Sequence, residues 1–308
     1  MNKINQGIIL FKMNRSLLSD YFLQNSSICS FKSSDSWVVL SPIELSIKQK
    51  IEAIGTPLKD WDIQINYGIK TGFNEAFIID GEKRAELIAA DPKCVEIIRP
   101  ILRGRDIKRY TYEFADLYII ATFPAKHYNI DDYPAIKAHL LSYGIERLEQ
   151  TGKEYTINGE KIKARKKTNN QWFETQDSIS YWDDFNKQKI VWGNLNLTAS
   201  FAYAPEGMYI NAPATMIVPY DKAILAILNS KLADYYIRNL GVTRNGGYFE
   251  YKPMFIEKLP IPSSIQSMGL DILLDQQLNG YDVENQINQK IYEIFDLSID
   301  EIKVIEGN

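Results

Sequence analysis

Histidine and cysteine are nearly absent from these 308 residues: His127, His139, Cys29 and Cys94 are the full complement. Two cysteines make no disulfide framework. Neither histidine has a cysteine or a carboxylate at metal-ligand spacing, which excludes the common zinc sites. Long apolar runs are also missing. The opening MNKINQGIILFKMNRSLL holds four consecutive apolar residues before Lys12 and Arg15 interrupt it. That is too short for a signal peptide, and no later window approaches the length of a membrane span. The chain reads as soluble and cytoplasmic, with no membrane partner. Internal repeats and low-complexity segments are lacking too. What is present is a 45% hydrophobic fraction and nineteen tyrosines against five tryptophans, the composition of a globular chain rich in amphipathic rings.

Catalytic signatures are equally scarce. The stretch NYGIKTGFNEAFIID (66–80) sets Lys70 and Thr71 between two glycines. A phosphate-binding loop needs four residues between its glycines, then Gly-Lys-Ser/Thr directly before a helix. Here Gly72 is followed by an extended apolar run, so the segment reads as a glycine-permitted turn between two strands. No serine and no cysteine sits in a nucleophile elbow. No Gly-rich cofactor loop follows a strand, and NAPAT (211–215) is a poor imitation of the Asn-Pro-Pro-Tyr type of segment used by amino-methyltransferases. Glu301-Ile302-Lys303 contains a Glu-x-Lys triplet of the nuclease type, but in a short capped helix, where a solvated face is the ordinary explanation. The chain therefore carries no recognisable covalent chemistry of its own.

The net charge of −4 argues at first against a nucleic-acid partner. Its distribution changes that. Ile265 to Asn308 holds nine acidic and two basic residues, a local charge of −7, which leaves +3 for the remaining 264 residues. An acidic tail thus follows a mildly basic body. Within the body, SPIELSIKQKIEAIG predicts a helix with a Ser41/Glu44 capping box, an apolar stripe of Ile43, Ile47, Ile51 and Ile54, and a stop at Gly55. A short helix is expected near Ser16–Leu23, and longer ones over Tyr133–Gln150 and Asp221–Asn239, the latter with Ile224, Ile227, Leu228 and Leu232 on one face. DWDIQINYGIKTGFNEAFIID alternates like two strands around a turn, and DLYIIATF and QKIVWGNL read as buried strands. FAYAPEGMYI reads as a hairpin around Pro205–Gly207, and EYTINGEKIKA as one turning at Asn158-Gly159. Ser263–Gly280 reads as a linker, followed by an amphipathic helix carrying Val283, Ile287, Ile291 and Ile294. A last helix is capped by Ser298 and Glu301. The expected layout is a mixed α/β class: an N-terminal lead-in (1–40), a mixed-sheet body (41–262), and a linker with an acidic helical tail (263–308).

Polar and basic clusters remain on the predicted loops. RPILRGRDIKRY presents Arg99, Arg103, Arg105, Lys108 and Arg109 against Asp106. EKIKARKKTNNQWFE presents Lys161, Lys163, Arg165, Lys166 and Lys167, followed by Asn169, Asn170 and Gln171. WGNLNL and GVTRNGGYFEY add Asn194, Asn196, Arg244 and Asn245. Strong positive charge suits phosphates, while Asn, Gln and Arg have the bidentate geometry for base edges. One charge run is an ordinary solvated face; several in a chain without a catalytic motif point to DNA binding.

WDIQINYGIKTGFNEAFIID, IIRPILRGRDIKRY, ISYWDDFNKQKIVWGNLNLTASFAYAPEGMYINAPATMIVP, LAILNSKLADYYIRNLGVTRNGGYFEYKPMFIEKLPIP and VENQINQKIYEIFDLSIDEI occur in this order. Together they resemble the TaqI-like C-terminal specificity domain of type IIG restriction-modification methylases, and more distantly the target-recognition domains of type I specificity subunits, over about residues 37–308. The resemblance implies a mixed-sheet target-recognition domain facing the major groove of double-stranded DNA, with a helical tail packing on the methyltransferase side. It implies a partner domain or subunit that methylates a flipped adenine, often joined to a nuclease. S-adenosylmethionine and magnesium would belong to that partner, with no cofactor in this chain, which is then an excised fragment or a separately encoded specificity subunit. Gly68, Thr71, Gly72 and Asn74 match the family's GIKTG-N motif, Gly104, Arg105 and Asp106 its GRD, and Tyr251, Lys252 and Pro253 its YKP. Gly68, Gly72, Gly104 and Pro253 are expected to be structural and Asp106 to pair with an arginine inside the fold; for Thr71 and Asn74 both roles stay open. The candidates for base readout are Arg165, Asn169, Gln171, Asn194, Arg244 and Asn245. Those for phosphate contact are Lys70, Arg103, Lys108, Lys163, Lys166 and Lys167. Two other functions stand against this one: a nuclease using Glu301 and Lys303, and a protein-interaction module built on the acidic tail and the tyrosine-rich surface.

Overall fold

The computed structural model describes residues 40–240 and 244–307. The helix expected near Ser16–Leu23, and with it nearly all of the lead-in, lies outside the described residues. The helices are α1 (Pro42–Ile54), α2 (Asn74–Phe77), α3 (Gly81–Ala90), α4 (Pro134–Leu141), α5 (Ile145–Leu148) and α6 (Lys222–Leu228). They continue as α7 (Lys231–Leu240), α8 (Pro253–Ile256), α9 (Leu270–Leu278), α10 (Glu284–Ile294) and α11 (Ile299–Glu306). The first strands are β1 (Thr56–Pro57), β2 (Gln64–Tyr67), β3 (Ile78–Asp80), β4 (Ile98–Leu102), β5 (Leu117–Ile120), β6 (Glu154–Ile157) and β7 (Glu160–Lys163). The others are β8 (Lys189–Trp192), β9 (Leu195–Asn196), β10 (Phe201–Ala204), β11 (Tyr209–Ile210), β12 (Thr215–Val218), β13 (Phe249–Glu250) and β14 (Pro260–Ile261).

Helix α1 begins with the expected capping box: Ser41 Oγ accepts from Glu44 N, and Ser41 N donates to Glu44 Oε2 at 2.7 Å. Ile47 and Ile51 are fully buried, whereas Ile54 is exposed, so the stripe is narrower than its periodicity predicts. Gly55 ends the helix with an extended backbone rather than a left-handed one. A Cβ there would lie 2.5 Å from Pro260 Cβ, so this position is glycine because β14 passes against it.

Two four-stranded sheets form the body, in the mixed α/β class expected. The first has the order β10-β8-β12-β2, every neighbour antiparallel; the second has the order β11-β4-β5-β3, with β11 parallel to β4. Two expected hairpins are therefore not hairpins. β2 and β3 lie in different sheets, and the segment between them carries the chain from one sheet to the other. β10 and β11 likewise separate, although the turn between them forms, with Gly207 at φ +74°. Alternation specifies an extended chain with two faces; which strand lies alongside is decided by burial far away in sequence. The Asn158-Gly159 hairpin does form, as β6 and β7, with positive φ at both turn residues.

The two long expected helices are each broken in two. Gly144, at φ +87°, separates α4 from α5, and Asn229 and Ser230 separate α6 from α7. Asn229 is fully buried, and its side chain exchanges two hydrogen bonds with the backbone of Phe201. That contact is made by ending the helix there. α6 is buried from Ala223 through Leu228, as a helix apolar all round must be. The stretch expected to be a linker contains α9, whose Leu270 and Leu274 are fully buried. With Ile287, Ile291 and Phe295 they join Ile47, Ile51, Ile224 and Trp192 in one cluster. The acidic helices therefore share a core with the first sheet, each such side chain contributing about 1.5–3 kcal/mol.

Candidate nucleic-acid interface

β2 and β8 are each antiparallel to β12 and so run in the same direction. Three connections consequently meet at one end of the first sheet: Gly68–Asn74 after β2, Gly193–Asn194 after β8, and Asn211–Ala214 before β12. The first and third of these border an open groove of about 690 Å³ lined by Tyr67, Lys70, Asn74, Asp177, Asn211 and Pro213 among others.

The GIKTG segment is held tightly. Gly68 lies against the backbone of Asn211, where a Cβ would be 2.7 Å from its carbonyl carbon. Gly72 has φ +77°, and a Cβ on it would come within 2.5 Å of Gln176 Oε1 and 2.9 Å of Arg165 Cδ. Thr71, fully buried, donates from Oγ1 to Asn74 Oδ1 at 2.7 Å and accepts from Phe73 N at 3.1 Å. Thr71 and Asn74 thus act on each other to shape the loop. The exposed Lys70 faces the groove, and its carbonyl accepts from Gln176 N at 2.9 Å.

Segment 164–177 is bound to this loop through Arg165. The residue is 4% exposed, and its guanidinium donates to the carbonyls of Leu148 (2.8 Å), Thr71 (2.8 Å), Glu174 (2.7 Å) and Trp172 (2.6 Å). Burial pulls its pKa down to about 10. Expected to read a base, Arg165 is instead turned inward, with four of its five N–H groups occupied by backbone. Asn170 also turns inward, donating to Thr175 O and Gln176 O. Gln150 Nε2 donates to Gln171 O and Glu174 O, both at 3.1 Å. With the backbone so anchored, the side chains of Lys166, Lys167, Asn169 and Gln171 are left exposed.

Lys163 stands beside them on β7, and Lys153 and Lys161 are exposed on the same ribbon. The ribbon packs on α5 and is tied to it by Tyr155 Oη, which donates to Glu149 Oε2 at 2.6 Å. Among the described residues, none of Lys70, Lys153, Lys161, Lys163, Lys166 and Lys167 stands in an ion pair, and neither do the exposed Lys59 and Lys258, whereas Lys137 pairs with Asp131, Lys222 with Asp275 and Lys231 with Glu306. Lys153 and Lys161, and Tyr67, half exposed at the groove, are not among the phosphate contacts that the sequence predicts. Nothing in a local window distinguishes a paired lysine from an unpaired one.

The remaining candidates are placed elsewhere or otherwise engaged. Arg103, expected on phosphate, grips Asp106 in a bidentate pair (Nε–Oδ2 2.9 Å, Nη2–Oδ1 2.7 Å), and Asp106 Oδ2 also accepts from Arg103 N. Burial works to raise the Asp106 pKa, but the Arg103 bonds outweigh it and hold it below the usual carboxylate range. Asp106 is thus the internal partner expected of it; Gly104 faces the backbone of Gly193 with room for a Cβ at 3.5 Å, and it is Gly193 whose Cβ would press to 3.1 Å on the Gly104 carbonyl oxygen. Lys108 caps the Arg105 carbonyl at 2.8 Å. Asn194 Oδ1 accepts from Thr215 Oγ1, and its carbonyl accepts from Tyr251 N, so it braces the fold near the groove. Arg244 pairs with Glu250, which also holds Lys252. The side chain of Asn245 lies outside the described residues.

Glu301, the residue of the nuclease alternative, is 4% exposed and structural: its oxygens accept from Ser298 N, Ser46 Oγ and Lys50 Nζ. Burial opposes ionisation there, yet Lys50 and Ser46 bring its pKa down to about 2. Lys303 pairs with Asp300. Among the described residues no three His, Cys, Asp or Glu side chains are grouped to hold a metal, and no helix is long and apolar enough to cross a membrane.

The model of the TaqI-like C-terminal specificity domain matches residues 99–261. The type II methyltransferase M.XhoI of Xanthomonas vasicola is 20% identical over 237 residues, covering 74% of this chain and 39% of that protein. Two solved structures share the fold. The type IIL restriction-modification enzyme MmeI in complex with DNA has a TM-score of 0.55 at 10% identity, over 81% of this chain and 35% of that one. The type IIG restriction endonuclease BpuSI has a TM-score of 0.52 at 12% identity, over 86% and 31%. The chain therefore spans well under half of each of these three proteins.

Proposed function

Because this chain belongs to the family of TaqI-like C-terminal specificity domains, we propose that it reads a specific sequence in double-stranded DNA on behalf of a restriction-modification methyltransferase. The observation that carries the reading is that six exposed lysines, on the GIKTG loop, the β6–β7 ribbon and the segment after it, stand in no ion pair among the described residues, on backbone tied to that of the exposed Asn169 and Gln171. Unpaired cations supply phosphate contact and hold the register; amides at that register discriminate bases. The methyltransferase acts on an adenine that it flips from the duplex, a nuclease is joined to it as in type IIG enzymes, and the assembly works in the cytoplasm. S-adenosylmethionine and magnesium are assigned to that partner. Asn194, bonded to Thr215, and Arg244, paired with Glu250, act in holding the fold rather than as first readers.

The test is selection of the full chain against a randomised duplex pool at low and moderate salt. One enriched motif whose binding weakens as salt rises is the expected result. Absence of binding at both salt levels refutes the proposal and leaves the protein-interaction alternative, for which the exposed Tyr281 and the acidic face of the α9–α11 end supply the surface.

A further inference from the structure

Arg165 is a buried cation that takes part in no ion pair among the described residues; the nearby Glu174 carboxylate accepts from Gln171 N instead. Four backbone carbonyls from three separate segments satisfy it: the end of α5, the loop after β2, and the Trp172–Glu174 stretch. Its guanidinium also lies 4.9 Å from the centre of the Phe77 ring. For stability alone, an apolar side chain of that length serves a core as well as a buried charge. What an apolar side chain cannot do is fix three segments in register through a rigid, planar set of donors.

The segments so joined are those that carry the interface. The Thr71 carbonyl fixes the loop bearing Lys70, and the Leu148 carbonyl fixes the helix on which the lysine ribbon packs. The Trp172 and Glu174 carbonyls fix the far end of the Lys166–Gln171 stretch. Asn170 and Gln150 add staples to the same stretch from outside and beneath. We infer that Arg165 is a positioning residue for sequence discrimination: it sets the backbone course that aims Asn169 and Gln171 at base edges, while the lysines grip phosphates without its help. This rests on the DNA-recognition reading above and goes further, since it separates discrimination from affinity within one face.

The experiment compares the full wild-type chain with Arg165→Lys and Asn170→Ala. The wild type first selects its motif; each protein is then titrated with that motif and with a scrambled duplex over a salt series. Arg165→Lys keeps the charge but cannot span four carbonyls. It is expected to retain its affinity for the scrambled duplex and its salt slope. The ratio of motif to scrambled affinity falls about tenfold or more, as on loss of one bidentate base contact. Asn170→Ala, which removes two bonds without disturbing a buried charge, shifts the ratio in the same direction by less, and provides the test if Arg165→Lys does not fold. An unchanged ratio in both variants overturns the inference and leaves the DNA reading intact. Equal losses on both duplexes, with a lowered melting temperature, overturn it in favour of a purely structural role. A wild type that binds without selecting a motif overturns the recognition reading itself.

Discussion

Removing charge from the lysine face gives the sharpest quantitative test. Each cation that neutralises a phosphate on B-form DNA contributes about −0.9 to the slope of log K against log salt. With Lys70, Lys153, Lys161, Lys163, Lys166 and Lys167 all in contact, the slope is about −5. Affinity then falls roughly a thousandfold between about 50 and 200 mM salt. The double substitution Lys166→Ala, Lys167→Ala is expected to reduce the slope by about 2, and to weaken binding nearly equally for all sequences. The control is Lys222→Ala with Lys231→Ala, removing the same charge from lysines that already pair with Asp275 and Glu306. Its slope stays at the wild-type value, because cations already paired with a carboxylate release no counterion from a phosphate. Fluorescence anisotropy with a labelled duplex measures both. Were the two double variants to show the same slope, the face would be ordinary solvated charge and the reasoning refuted.

Gly72→Ala forces a side chain into the left-handed region and against Gln176 and Arg165; a loss of about 1–3 kcal/mol in urea unfolding is expected, and no loss would mean that the loop is not constrained as described. Leu274→Ala, in α9, is expected to cost about 2–5 kcal/mol and to lower the midpoint of one transition for the whole chain; two separate transitions would show the helical end unfolding as its own unit. The Glu301 carboxyl is held down in the folded state, so its stabilisation is complete above the unfolded value of 4.5 and is lost as pH falls toward 2. The stability difference between wild type and Glu301→Gln should accordingly shrink through that window in acid unfolding, and a difference constant with pH would contradict the ion pair with Lys50.

Features written in a few adjacent residues were legible from sequence. The Ser41/Glu44 and Ser298/Glu301 capping boxes and the Asn158-Gly159 hairpin formed where expected, since each is closed by hydrogen bonds within a turn or two. The membership of the basic face was only half legible. Lys163, Lys166, Lys167 and Lys70 are exposed and, among the described residues, in no ion pair, but Arg103, equally basic and in equally basic surroundings, is spent on Asp106. Arg165 shows the limit most clearly, because its neighbours Lys163, Lys166 and Lys167 are all exposed and it alone is interior.

By itself, then, the sequence determined the mixed α/β class, the local caps and turns, and the stretches rich in cations and amides. Tertiary structure decided which strands share a sheet, that α9 to α11 complete the core of the first sheet, and which polar side chains still have hydrogen-bonding groups to offer. The physical reason is one of range. Dihedral preference and capping are settled within four residues, whereas the sheet partners, buried charges and ion pairs that local windows miss join groups far apart in sequence, as Arg165 is from Thr71 and Lys50 from Glu301.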